Sequence, residues 1–162
     1  MTETDIYIKI SKKSPRAGKG SYLVVLEAIT ASGKPGTLTI KGSFEDITPH
    51  RLELRAIVDA LHRYKIHSRV NIHSEHGWFK TVRDNGWFNK WQQAGWMVNG
   101  HMAAGAELYQ EIYMMETVCG MEIGTIDKDL GSYKTWLDCQ MENADPIRQN
   151  AHLGELEHVK SP

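Results

Sequence analysis

Cysteine is scarce in this chain. The two residues present, Cys119 and Cys139, form no metal-spaced cluster, so a zinc-ribbon or disulfide-framework protein is excluded. No secretory leader is read at the charged and polar N-terminus, and both thiols are expected to be reduced in a cytoplasmic protein. Long apolar runs are missing, which excludes a helical membrane span and leaves no membrane partner expected. An excess of one charge is also lacking: 19 basic and 20 acidic side chains leave a net charge of −1. Any attraction to nucleic acid must then come from a local patch. Internal repeats, low-complexity stretches, a phosphate-cradling glycine loop and a serine–histidine–acid order are all absent.

What is present suits one α/β domain of 162 residues, 41% of them hydrophobic. Asp5 to Ile10 alternates Ile6, Ile8 and Ile10 with Tyr7 and Lys9, which predicts a strand. Strands are expected again over Ser21 to Thr30 and Thr37 to Phe44, joined by the turn residues Ser32 to Gly36 into an antiparallel meander. Thr48 is a good N-cap, Pro49 suits the first helical position, and Leu52, Ala56, Ile57, Ala60, Leu61 and Tyr64 recur at helical spacing. Arg69 to Ile72 reads as a short buried strand, giving a parallel crossover. His73 to Trp91 reads as a helix interrupted at Asn85-Gly86, and Gln92 to Met102 as an irregular connection. A helix over Ala103 to Cys119, a strand over Met121 to Ile126 and a helix over Leu130 to Asn143 complete a domain of residues 1–145. Residues 146–162 form a polar tail expected to be partly disordered.

Several segments in this order resemble the ribonuclease H family. Ile6-Tyr7-Ile8-Lys9 and Gly20-Ser21-Tyr22-Leu23-Val24-Val25-Leu26 resemble its first strand and its Gly-Gly-Tyr second strand. Arg51-Leu52-Glu53-Leu54 resembles the helix motif Arg-Met-Glu-Leu, and Val70-Asn71-Ile72-His73-Ser74 the strand ending in Thr-Asp-Ser. Asn89-Lys90-Trp91-Gln92-Gln93-Ala94-Gly95-Trp96 resembles the segment around the substrate-binding handle. Glu107-Leu108-Tyr109 and Trp136-Leu137-Asp138-Cys139 fit the last two helices. The resemblance implies a mixed five-stranded sheet, order 3-2-1-4-5, flanked by helices. It also implies cleavage of RNA in RNA–DNA hybrids by two Mg²⁺ ions held between four carboxylates.

Only Glu53 and Asp138 of those carboxylates remain. By this resemblance Lys9, or Ile10 if the gap shifts by one, stands where the first aspartate belongs, His73 where the third belongs, and Lys128 where the family carries a loop histidine. Lys9 puts an ammonium at a metal position and could pair with Glu53 or Asp138. Glu53, His73 and Asp138 could make a single-ion site for Mn²⁺, Zn²⁺ or Mg²⁺, against the plainer reading of a hydrogen-bonded polar relic. Glu75 is a candidate substitute, but on a helix it would point elsewhere. Phosphate contacts are expected from Lys12, Lys13, Arg16 and Lys19 in the first loop, with Arg51 and Lys90 beyond it. Trp78, Trp87, Trp91 and Trp96 could stack bases, but core packing is the preferred reading. The expectation is a ribonuclease-H-like protein with a degraded site and no cofactor, binding nucleic acid or a nucleic-acid enzyme. The alternatives are an active metal-dependent ribonuclease, and a protein-interaction or inhibitor module of a mobile element.

Overall fold

The computed structural model describes residues 2–11, 14–29, 33–64 and 68–142. The meander forms as expected: β1 (Thr2–Ile10), β2 (Gly18–Ile29) and β3 (Pro35–Ile47) are paired antiparallel. Each strand runs further than its alternating core, because the register Ile6↔Leu26 to Ile10↔Tyr22 and its β2–β3 counterpart carry the ladders outward. Helix α1 (Pro49–Leu61) follows, with the Thr48 hydroxyl accepting from the Arg51 N–H. β4 (Ser68–Ser74) then pairs parallel with β1.

The expected helix from His73 is corrected at its start. Residues His73 and Ser74 are the end of β4, held by the pairs Tyr7↔His73 and Ile8↔Ser74. Gly77, at φ +70°, turns the chain into α2 (Trp78–Asp84). Gly86 separates this helix from α3 (Trp87–Gln93), where the Asn85-Gly86 interruption was expected. The connection after it contains a two-stranded hairpin, β5 (Met97–Val98) with β6 (His101–Met102). Helix α4 (Ala106–Thr117), β7 (Glu122–Asp127), a 3₁₀ turn (Gly131–Tyr133) and α5 (Lys134–Glu142) complete the described chain.

The sheet order is β3-β2-β1-β4-β7, the expected one with β7 as the fifth strand. Successive strand residues point to opposite faces, and two separate apolar clusters follow from that. One face carries Ile6, Ile8, Val24, Leu26, Val70 and Ile72 against α1, α2, α3 and α4. The other carries Leu23 and Val25 against Leu130 and Leu137, with Tyr7, Tyr133, Trp136 and Met141 packed around them. Among the described residues no helix is long and apolar enough to cross a membrane.

Candidate functional site

The C-terminal ends of the parallel neighbours β1 and β4 lie side by side, and the period of two decides which side chains meet. Ser74 points to the α1 face. There its hydroxyl donates to Glu53 Oε2 at 2.5 Å, and the Phe79 N–H donates to Glu53 Oε1 at 2.7 Å. The N–H groups of Gly77 and Trp78 also reach this carboxylate. Glu53 is therefore a fully buried cap on the start of α2, where the N-cap Gly77 has no side chain to do the work. Burial raises its pKa, against the opposing pull of the Ser74, Phe79, Gly77 and Trp78 hydrogen bonds.

On the opposite face, Lys9 Nζ lies 2.6 Å from Glu75 Oε1 and 2.9 Å from Asp138 Oδ1. Lys134, one helical turn before Asp138, reaches Glu75 at 2.8 Å and Asp138 at 3.1 Å. Two ammoniums and two carboxylates thus alternate around one cluster at the edge of an open cleft of about 590 Å³, which Ser11 and Met141 also line. Burial works against charge on Glu75, but hydrogen bonds from Lys134 and Lys9 outweigh it and hold its pKa below the ordinary carboxylate value. The Asp138 carboxyl is held low by Lys9 first and then by Lys134.

His73 belongs to a third network. Its Nε2 is 2.8 Å from Asp5 and its Nδ1 2.8 Å from Asp127, so one ring ties β1, β4 and β7 together. The ring stacks on Tyr7, with centroids 4.6 Å apart and planes 11° from parallel. Burial alone would depress its pKa, yet the hydrogen bonds to Asp5 and Asp127 prevail and raise it.

Glu53, His73 and Asp138 are consequently not brought together. Among the described residues no three His, Cys, Asp or Glu side chains converge as a metal ion would need. The reason is one of register: Ser74, not His73, shares the Glu53 face. The pairing of Lys9 with Asp138 does form, and Glu75 joins it because it follows a strand rather than lying on a helix. Asp5 and Asp127 were missed, since nothing local in the sequence links either to His73.

Of the basic residues, Lys12 and Lys13 lie outside the described residues. Arg16, Lys19 and Lys90 are exposed, whereas Arg51 is paired with Glu107. The tryptophans pack as expected: Trp96 is buried and stacks on Tyr109, and half-buried Trp78, Trp87 and Trp91 continue the ring contacts outward.

Solved structures of low sequence identity share this architecture. LC9-RNase H1, a type 1 RNase H with the type 2 active-site motif, superposes with a TM-score of 0.63 at 17% identity over 86% of this chain and 70% of that one. The N-terminal RNase H domain of a Mycobacterium tuberculosis protein gives 0.57 at 14% identity, over 93% and 99% of the two chains. The foamy viral protease-reverse transcriptase in complex with RNA/DNA hybrid gives 0.57 at 10% identity, over 85% of this chain and 18% of that one. No protein-family model matches the sequence, and no curated protein is significantly similar to it. The fold is ribonuclease-H-like.

Proposed function

We propose that this ribonuclease-H-like fold serves as a nucleic-acid-binding module, or a docking module for a nucleic-acid enzyme, that does not efficiently hydrolyse the bound strand. One observation carries the reading: Lys9 on β1 and Lys134 on α5 stand within 2.6–3.1 Å of Glu75, just after β4, and Asp138, within α5. Two-metal hydrolysis needs several carboxylates free to share two divalent ions about 4 Å apart. Here each acid already meets two ammoniums, and Glu53 is spent on capping α2. This donor set does not fit a pair of Mg²⁺ ions. The binding half of the proposal draws on the viral structure of the same fold, which holds an RNA/DNA hybrid, and on the exposed cations Arg16, Lys19 and Lys90.

The test is incubation with a labelled RNA–DNA hybrid at low salt, with Mg²⁺ or with Mn²⁺. Binding without cleavage is the expected result. Cleavage that vanishes in Asp138→Asn would instead establish an active ribonuclease. A protein that neither cuts nor binds the hybrid would leave the protein-interaction reading in its place.

A further inference from the structure

His50 and His76 come from separate elements and meet at the surface. His50 is the second residue of α1, and His76 precedes the turn into α2. His50 Nδ1 and His76 Nε2 are 2.8 Å apart. His50 also lies flat on Trp78, with ring centroids 3.9 Å apart and planes within 4°. The segment bearing His76 and Trp78 is held from below, because buried Glu53 accepts the N–H groups of Gly77, Trp78 and Phe79.

This arrangement is poorly explained as a hydrogen bond alone. Two facing nitrogens share a single proton, and an exposed neutral contact of this kind is worth little in water. Both rings are biased to the neutral, ligand-competent form. Burial lowers the His50 pKa, and burial, with His50 and Lys128 nearby, lowers that of His76 to about 4. Neutral imidazole nitrogens on neighbouring elements are what a borderline divalent ion seeks, and water is at hand for its remaining positions. The stem of Lys128 packs over Gly77 and leaves a positive charge close by. That charge opposes every divalent ion alike, so selectivity rests on the ligands: hard ions such as Mg²⁺ bind oxygen and gain nothing specific from imidazole.

We propose that Nδ1 of His50 and Nε2 of His76 form a two-histidine site for a divalent transition-metal ion of the nickel, copper or zinc type. The ion replaces the proton between the rings, which moves to an outer ring nitrogen, so two neutral imidazoles remain. Chelation requires both facing nitrogens to turn from each other toward a common point about 2 Å from each. The site is separate from the Lys9–Asp138 cluster and does not depend on the function proposed above.

Trp78 makes the test direct, since an open-shell ion on His50 quenches the indole stacked against it. NiCl₂ is titrated into the full chain, followed by calorimetry and by tryptophan emission, with MgCl₂ as the control ion. The expected result is Ni²⁺ binding with partial quenching and no response to Mg²⁺. His50→Ala and His76→Ala should each weaken binding at least tenfold, with thermal melts showing that both variants fold. His62→Ala, at an exposed histidine elsewhere, should leave affinity unchanged. In Trp78→Phe most of the quenching should disappear while the calorimetric affinity persists. Equal affinity in the wild type, His50→Ala and His76→Ala would overturn the proposal, as would no binding by the wild type.

Discussion

At Glu53, the side chain that the ribonuclease H resemblance marks as catalytic is fully buried and saturated with hydrogen bonds. A catalytic carboxylate kept for metals is usually replaced without loss of stability; a helix cap is not. Glu53→Gln puts an N–H₂ donor against backbone donors and should lower the unfolding free energy by about 1–3 kcal/mol. Urea titration reads this, and unchanged or increased stability would point to an acid held for chemistry. Lys41 on β3 predicts the opposite sign. Its ammonium nitrogen is buried and has no hydrogen-bond partner among the described residues. Lys41→Met keeps the stem and removes the unpaired charge, so the urea midpoint should rise by an amount equivalent to about 1 kcal/mol or more, with an unchanged slope.

Among the elements, β4 decides where every candidate group points. Its End at Ser74 sends His73 to Asp5 on β1 and Asp127 on β7, so the three parallel strands share one titrating ring. The His73 pKa is raised above its ordinary 6.5, so its stabilising effect is complete below that value and is lost as pH rises through the higher folded value. The Asp127 carboxyl is held below its ordinary 3.8 chiefly by the same hydrogen bond, so its contribution disappears as pH falls through the acid range. Unfolding free energy should therefore decline as pH rises from about 6.5 through the raised folded value of His73, and His73→Asn should flatten that decline. A wild-type curve no steeper than the variant's would remove His73 as the cause. The same strand marks the limit of what the sequence could disclose. The alternation of Ile6, Ile8 and Ile10, the Thr48-Pro49 helix start and the Asn85-Gly86 break are local signals, and each reappears in the fold. The continuation of β4 through Ser74 is imposed by β1 across the sheet. No local breaker precedes Gly77, so a helix from His73 was the natural reading, and it carried Glu75 to the wrong face. A shift of two residues at one strand end thus dissolved the expected Glu53–His73–Asp138 cluster and created the Lys9–Glu75–Lys134–Asp138 one.

For the molecule as a whole, a net charge of −1 means that any grip on nucleic acid is carried by a few local cations. Arg51 already answers Glu107, and Lys9 and Lys134 are committed to Glu75 and Asp138. Of the cations proposed for phosphate contact, Arg16, Lys19 and Lys90 remain exposed, and Lys12 and Lys13 before Arg16 in the sequence bring that set to five. Each neutralised phosphate contributes roughly −0.9 to the slope of log affinity against log salt on a duplex. Hybrid binding should then show a slope between about −2.7 and −4.5, far shallower than that of a dedicated basic groove. Reversing two of these charges together, Arg16→Glu with Lys19→Glu, should make the slope shallower by about 1.8 and weaken binding alike for every sequence. A slope untouched by that double change would place the contact on another face. Ser11, which follows β1, lines the same cleft as Lys9, so that outcome would separate the proposed binding surface from the neutralised acidic cluster.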